Sequence, residues 1–451
     1  MSLAIDGLVS GLDTTALINS LMQLEAVPQT LLKSKVTASQ AYISALQGLN
    51  TKVAAVGELA VTTAKPQALD LYSTTSSSDK VTATATTGAQ AGEIDLVVGQ
   101  LAQAQKSVTA AMSVWADDPP VLTIVGSDGT ETQVTAASTS LDAVVTAINA
   151  AGAGVTATKV SVGGGEFRLQ LSSTETGAAG AFSVHRDTAA GADIFAEVGA
   201  ATVRTAANAE VTLWAGSAAS QTISSPTNTF ASLMPGVSIT VAAASVTPVT
   251  IGIARDDARI GDVAARLVTG LNDIFALISS KSAVTTGTSS TGATTVSGGA
   301  FAGDSTVRDV NRRIMAAASQ PIDGRSPSEF GIVITKSGTL EFNAEKFAAA
   351  LAKDPAATQA ALQRIASRVG DAAGVISDKY DGLLTGRITG QQSSLRDLSD
   401  RISDWDIRLT TRRSTLERTY SALEVQLSSL NAQSSYLASQ LASLSGSSNS
   451  Q

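Results

Sequence analysis

A heptad pattern of apolar residues in the carboxy-terminal segment constrains the fold more than any other feature of the chain. Two consecutive frames, joined by one four-residue step, contain Leu395, Leu398, Ile402, Trp405, Leu409 and Leu416, then Tyr420, Leu423, Leu427, Leu430, Leu437, Leu441 and Leu444. The spacing predicts a helix over residues 392–444, roughly 80 Å long at about 1.5 Å per residue. A helix of that length with one apolar seam needs a partner helix.

The amino-terminal segment supplies a partner. Residues 14–64 contain almost no Gly, and apolar residues recur at spacings of four and three at Tyr42, Leu46, Leu49, Val53, Val56 and Ala60. We expect Asp13 to cap the helix, Leu12 and Leu17 to form a hydrophobic staple, and Pro28 to kink or divide it. The two chain ends are therefore predicted to pair as a coiled-coil stalk, with the rest of the chain inserted between them.

Both extreme ends lack charge. No charged residue follows Glu424, and only Asp6 and Asp13 precede Glu25. Because a solvated helix normally carries charges on its free face, we expect these ends to be frayed in the monomer and to become ordered against other subunits. The alternative is a mildly polar helix that happens to lack charge. The predicted contact residues are Leu8, Leu12, Leu17, Leu21, Leu427, Leu430, Tyr436, Leu437 and Leu441.

The middle of the chain changes to strand patterning. Residues 73–253 are rich in Thr, Val, Ala and Gly, and Asp128-Gly129 lies between alternating runs, as in a hairpin. Helical patterning returns at Ile260, followed by a predicted loop over residues 282–299 and a hairpin around Gly338.

The predicted fold is multidomain α+β, with a helical domain and two β-rich α+β domains between the paired terminal helices. The expected segments are 1–68 and 391–451 for the stalk, 69–110 and 200–256 for an inner β-rich domain, 111–199 for an outer α+β domain, and 257–390 for a helical domain with a hairpin. A chain of 451 residues is too long for one core, which agrees with several domains.

Composition argues against most catalytic and nucleic-acid-binding functions. The net charge is −8, 4% of residues are aromatic, and the chain has no Cys and a single His. We expect no cofactor, no metal site, no nucleic-acid partner and no catalysis, and we interpret His185 as a hydrogen-bonded strand residue. The start of the chain lacks a secretory signal pattern, and no apolar run of about 18 residues predicts membrane insertion.

Several ordered segments resemble the flagellar filament-capping, or hook-associated protein 2, family. The first is residues 5–14, Ile-Asp-Gly-Leu-Val-Ser-Gly-Leu-Asp-Thr, with Leu17, Ile18, Leu21, Met22, Glu25 and Pro28 after it. Others are residues 100–105, 147–152, 228–230 with 235–237, 303–308, the hairpin at Gly338, and Asn431, Ser434, Ser435, Tyr436 and Leu437. The middle region departs from the family in its richness in Ala and Thr.

The resemblance implies a protein exported without a cleaved signal to the tip of the bacterial flagellum. It implies a homo-oligomeric ring that retains flagellin and promotes its folding and insertion. Hook–filament junction proteins and a flagellar export chaperone are further implied partners. The alternative is a surface adhesin or glycan-binding protein on a helical stalk, because exposed Thr/Ala-rich strands and loops permit ligand binding.

Overall fold

A computed structural model describes residue 11, residues 13–289 and residues 291–446, with the backbone alone for residues 443–446. Leu8 and Leu12, and with Leu12 the expected staple, lie outside the described residues. The chain divides into two compact units, one formed by Met1–Lys65 with Val263–Gln451, the other by Pro66–Asp262. We call them the helical unit and the inserted unit.

Eight α-helices occur in the described part of the chain. They are α1 (Thr14–Glu25), α2 (Val27–Ala64), α3 (Leu141–Ala150), α4 (Asp257–Ser282), α5 (Ser305–Ser319), α6 (Ala344–Lys353), α7 (Pro355–Ser377) and α8 (Leu383–Gly446). The Asp13 side chain accepts from the Ala16 N–H at the start of α1, and Pro28 stands in the first turn of α2. Pro28 therefore divides the amino-terminal helix as expected, because proline is tolerated only in a first turn.

The inserted unit is built from four antiparallel sheets. Its strands are β1 (Tyr72–Ser76), β2 (Val81–Ala85), β3 (Gly92–Gln100), β4 (Lys106–Val108), β5 (Val121–Gly126), β6 (Glu131–Thr135), β7 (Val155–Gly163), β8 (Glu166–Ser173), β9 (Phe182–Arg186), β10 (Ala201–Arg204), β11 (Ala209–Leu213), β12 (Gln221–Ser225), β13 (Thr229–Met234), β14 (Val237–Val241) and β15 (Val249–Arg255). The sheet orders are β1-β15-β3-β11-β12, β13-β14-β2, β10-β4-β8-β7 and β6-β5-β9.

Two separate hydrophobic cores lie in the inserted unit. One draws its residues from both ends of the insertion, with Leu96, Val211 and Ile251 among them, and the other from its middle, with Trp115, Ile148 and Leu169 among them. The predicted hairpin across Asp128-Gly129 is β5–β6, and Ser140 caps α3 by accepting from the Ala143 N–H. Strands β4 and β10 lie outside residues 111–199 but belong to the same sheet as β8, since β10 pairs with β4 and β4 pairs with β8. The six segment boundaries stay predictions.

The helical unit also contains two small hairpins. One joins β18 (Ile332–Ile334) to β19 (Leu340–Phe342), as expected around Gly338. The other joins β16 (Val284–Thr288) to β17 (Thr294–Gly298), where the sequence predicts only a loop. That prediction was wrong because the Gly and Ser content masked a period-two pattern of Thr and Val, which favours strands.

The apolar stripe of α2 is buried, but its partners differ from the expected ones. Leu46, Leu49 and Val53 are fully buried. The backbone of Gly57 approaches Ala373 of α7, and Val56 lies against Gly270 of α4. This stripe therefore belongs to the core of the helical unit, and an earlier part of α2 lies along α8.

Helix α4 is long and apolar enough to span a membrane by length and composition. Its residues Leu267, Leu271 and Ile274 are buried, as in the core helix of a folded unit. At the other end of the chain, α8 continues unbroken to Gly446. The helix is thus formed where the sequence predicted fraying.

Candidate functional site

The stalk consists of α1, the first part of α2 and α8. From α1 into α2 the less exposed residues recur every three or four positions: Ile18, Met22, Ala26, Gln29, Leu32, Val36, Ser39 and Ile43. On α8 the expected first frame, from Leu395 to Leu416, is half-buried. The helices contact along these faces, so the predicted pairing of the two chain ends is confirmed.

Polar contacts set the antiparallel register of the stalk. The Gln29 amide donates to Asp406 at 2.5 Å, Glu25 lies 3.3 Å from Arg412, and Arg413 donates to Asn19 at 3.0 Å. Gln29 is 6% exposed. A buried polar residue in an apolar seam disfavours shifted pairings, because a shift would leave its amide without a partner.

A second apolar stripe on α1 and α2 faces away from the seam. We call it the outer stripe, and its exposed members are Leu17, Leu21, Leu24, Val27 and Leu31. Leu24 is 72% exposed. The predicted contact residues Leu17 and Leu21 therefore lie outside the seam, while their neighbours Ile18 and Met22 lie inside it. The spacing of apolar residues in the sequence is compatible with both stripes, and the fold decides which of them faces α8.

The tail of α8, residues 421–446, carries a further group of exposed apolar side chains. They are Leu423, Val425, Leu427, Leu430, Tyr436, Leu437 and Leu441. The two antiparallel helices have the same rise per residue, so the contacts of Asn19 and Glu25 with α8 place Thr14, at the start of α1, opposite about residue 420. Within the described residues the tail therefore extends past its partner helix, and no charged residue follows Glu424.

A cluster of three side chains lies near the start of α8. The Tyr42 hydroxyl donates to Asp304, and Arg387 Nε donates to that hydroxyl at 3.1 Å. Asp304 also caps α5 by accepting from the Val307 N–H at 3.0 Å, and its side chain is 7% exposed. The cluster thus joins α2, α5 and α8, and we call it the stalk latch.

The ionisation of the stalk latch follows from these contacts. Burial would raise the pKa of Asp304, but hydrogen bonds from Tyr42 and from the backbone of α5, with the nearby Arg387 charge, lower that pKa overall. Burial and the neighbouring Asp304 carboxylate raise the pKa of Tyr42. The charged carboxylate and the neutral phenol are therefore the favoured forms at neutral pH.

His185 and the glycines between β7 and β8 have structural roles. His185 Nδ1 donates to the Gly191 carbonyl at 3.0 Å, and Nε2 lies 2.9 Å from Ser183 Oγ. Gly163, Gly164 and Gly165 have positive φ angles in the turn between β7 and β8, as a hairpin requires. Within the described ranges, no group of three or more His, Cys, Asp or Glu side chains could hold a metal ion.

Comparison with known families accounts for the arrangement. A model described as flagellar hook-associated protein 2 C-terminus matches residues 206–432, and the corresponding N-terminus model matches residues 10–105. The chain belongs to the flagellar hook-associated protein 2 family. The family matches cover α1, α2 and most of α8, and a flagellin hook IN motif matches residues 121–175.

Relatives and a solved structure agree with this family. The chain is 27% identical to flagellar hook-associated protein 2 of Escherichia coli K12, over 96% of this chain and 97% of that protein. It is also 27% identical to the B-type flagellar hook-associated protein 2 of Pseudomonas aeruginosa, over 97% of each chain. The crystal structure of the D1-D2-D3 domains of the Escherichia coli flagellar cap protein FliD matches with a TM-score of 0.54 and 25% identity, covering 78% of this chain and 96% of that one.

Proposed function

We propose that this hook-associated protein 2 family member caps the distal end of the growing flagellar filament as a homo-oligomeric ring. In this role it retains exported flagellin and promotes its folding and insertion, without catalysis. It acts outside the cell after export without a cleaved signal, and hook–filament junction proteins and an export chaperone are its further proposed partners. The observation that carries the proposal is the exposed apolar tail of α8, together with the exposed outer stripe of α1 and α2.

The size of this surface fits a contact that must be remade during growth. Burying a fully exposed Leu side chain contributes about 1.5–3 kcal/mol, so the five tail leucines, which are 39–67% exposed, supply roughly 4–8 kcal/mol. Association alone costs about 4–15 kcal/mol in lost freedom. One tail therefore binds weakly, and a ring of several copies holds the filament through combined contacts that open one at a time.

Removal of the tail tests this proposal. We expect a chain ending at Glu424 to remain folded and soluble with an unchanged melting temperature, because the removed side chains are mostly exposed. Filament growth in a strain carrying this truncation should fail, with flagellin appearing unassembled in the medium. Electron microscopy of filaments and flagellin content of the medium measure the two effects.

A matched pair of full-length variants separates lost surface from lost length. Leu430→Glu with Leu437→Glu should stop filament growth, because each places a charge in the proposed contact. Leu430→Met with Leu437→Met should retain it, because the apolar surface is preserved. Normal filaments in the Glu variant would count against the tail as the contact.

A second candidate, glycan binding, is favoured by one feature of the inserted unit. Trp214 is 51% exposed and lines a groove of about 470 Å³ with Asp95, Ser217 and Pro248. A flat aromatic ring can stack on a sugar, and a neighbouring carboxylate can accept hydrogen bonds from the sugar hydroxyl groups. Glycan-array binding that disappears in Trp214→Ala but persists in Trp405→Ala would support this function; no binding by the unaltered protein would remove it.

A further inference from the structure

The hairpin β16–β17 is exposed on both faces and along both edges. All ten of its strand residues are exposed, including Val284 at 61% and Val296 at 69%. In the part of the chain that the structure describes, neither strand pairs with a third strand. An isolated two-stranded hairpin is only marginally stable in water, so this one gains from any further strand.

The hydrogen-bond alternation shows which backbone groups are free to pair. Ser289 N donates to the Ala293 carbonyl at 2.8 Å, and Gly299 N donates to the Ala283 carbonyl at 2.8 Å. In an antiparallel ladder, hydrogen-bonded pairs alternate with non-hydrogen-bonded pairs, so every second pair counted inward from these two ends is hydrogen-bonded within the hairpin. In the pairs between them, the backbone N–H and C=O groups point outward, away from the hairpin. These outward residues are Val284, Thr286 and Thr288 in β16, and Thr294, Val296 and Gly298 in β17.

The hairpin lacks the features that normally protect a sheet edge. Residues 282–303 contain no charged residue and no Pro, and the ladder from Val284 to Thr288 pairs without a bulge. Natural edge strands usually carry a charge, a Pro or a bulge to prevent pairing with another chain. The same uncharged Thr and Val composition lets two copies approach without like-charge repulsion.

We propose that β16–β17 is a strand-addition site for a second copy of this chain, joined hairpin to hairpin. Within one hairpin the β16 and β17 sequences pair with each other, so β16 of one copy can pair in the same way with β17 of a second copy. The contact rests on, and specifies, the homo-oligomer proposed above. It lies on a surface distinct from the tail of α8, so the two proposals fail separately.

Single cysteines test the contact directly, because the chain contains no Cys. Under mild oxidation, a mixture of full-length Thr286→Cys and full-length Val296→Cys should give disulfide-linked dimers, because β16 of one copy would pair with β17 of the next. The matched control is Val375→Cys, on α7 of the same unit, where the native valine is 60% exposed. Pairing of the edges raises the local thiol concentration, so the hairpin variants should cross-link at least about tenfold faster than the control. Equal rates would overturn the proposal.

Proline substitution gives an independent measurement. The Val296 N–H points outward, so Val296→Pro removes an edge donor without breaking the hairpin's own ladder. Sedimentation of Val296→Pro should show smaller assemblies than Val296→Thr, which keeps the N–H, at the same melting temperature. Identical assembly sizes would refute the hairpin contact but leave the tail proposal standing. Cross-linking of Val296→Cys to added flagellin that carries an introduced Cys, in preference to Thr286→Cys, would refute a second copy as the occupant.

Discussion

Tyr42, Asp304 and Arg387 join three helices of the helical unit through one short hydrogen-bond chain. Asp304 was recognisable from sequence as a helix cap, because a cap depends on a residue and its next few neighbours. The same local logic correctly predicted the Asp13 cap, and Ser140 and Asn343 cap their helices by the same local contact. The link to Tyr42 could not be predicted, since these two residues are 262 positions apart in the chain.

Replacing Tyr42→Phe should destabilise the helical unit at neutral pH. The change removes the donor to Asp304 and leaves a mostly buried carboxylate short of one hydrogen bond, at a cost of about 1–3 kcal/mol. Chemical denaturation of the variant and of the native protein measures the difference. Tyr380→Phe, at a tyrosine that is 78% exposed, is the control and should have no effect.

The same variant should change the acid stability of the protein. The lowered pKa of Asp304 means that its stabilisation is present above its ordinary pKa of 3.8 and is lost as pH falls through the folded value. The difference between native protein and Tyr42→Phe should therefore shrink as the pH drops below about 4. A difference that stays constant from pH 7 to pH 3 would show that the latch acts through packing alone.

At the scale of elements, periodicity identified the helices better than it identified their partners. The stripe from Leu46 to Ala60 was correctly predicted as a buried face, but a helical period does not state which helix covers that face. The seam residues Ile18 and Met22 and the outer residues Leu17 and Leu21 are sequence neighbours on opposite sides of one helix. Separating them required the position of α8, which only the fold supplies.

Two glycines of α2 should respond in opposite directions to Ala. A Cβ at Gly57 would lie 2.8 Å from the Ala373 Cβ, whereas a Cβ at Gly48 would meet nothing within 4 Å. Gly48→Ala should stabilise the protein by up to about 1 kcal/mol through helix propensity. Gly57→Ala should destabilise it, because overpacking costs about 1–3 kcal/mol and exceeds the same propensity gain.

Urea denaturation followed at the helical signal measures both glycine variants. A stabilised Gly57→Ala would mean that α2 and α7 separate easily. The close approach of α2 to α7 at Gly57 would then not be needed for the stability of the helical unit.

At the scale of the whole molecule, the chain leaves the helical unit after Lys65 and returns at Val263. The prediction that the two terminal helices pair came from the apolar patterns of two separate segments. It is confirmed by contacts such as that of Gln29 with Asp406. The insertion of one unit between the two sequence segments of the other was indicated by the change from helical to strand patterning. The sheet in which β10 pairs with β4 and β4 pairs with β8 could not be read from the sequence, because these strands are far apart in the chain and no local pattern records their pairing.

Separate cores predict separate unfolding. Calorimetry of the full chain should show at least two transitions, since the helical unit and the inserted unit each bury their own apolar residues. A fragment of residues 66–262 should reproduce one of them and show a strand-rich circular dichroism spectrum. Gly57→Ala should lower only the transition absent from that fragment, because Gly57 packs within the helical unit. A single transition shifted as a whole by Gly57→Ala would mean that the two units unfold as one cooperative body.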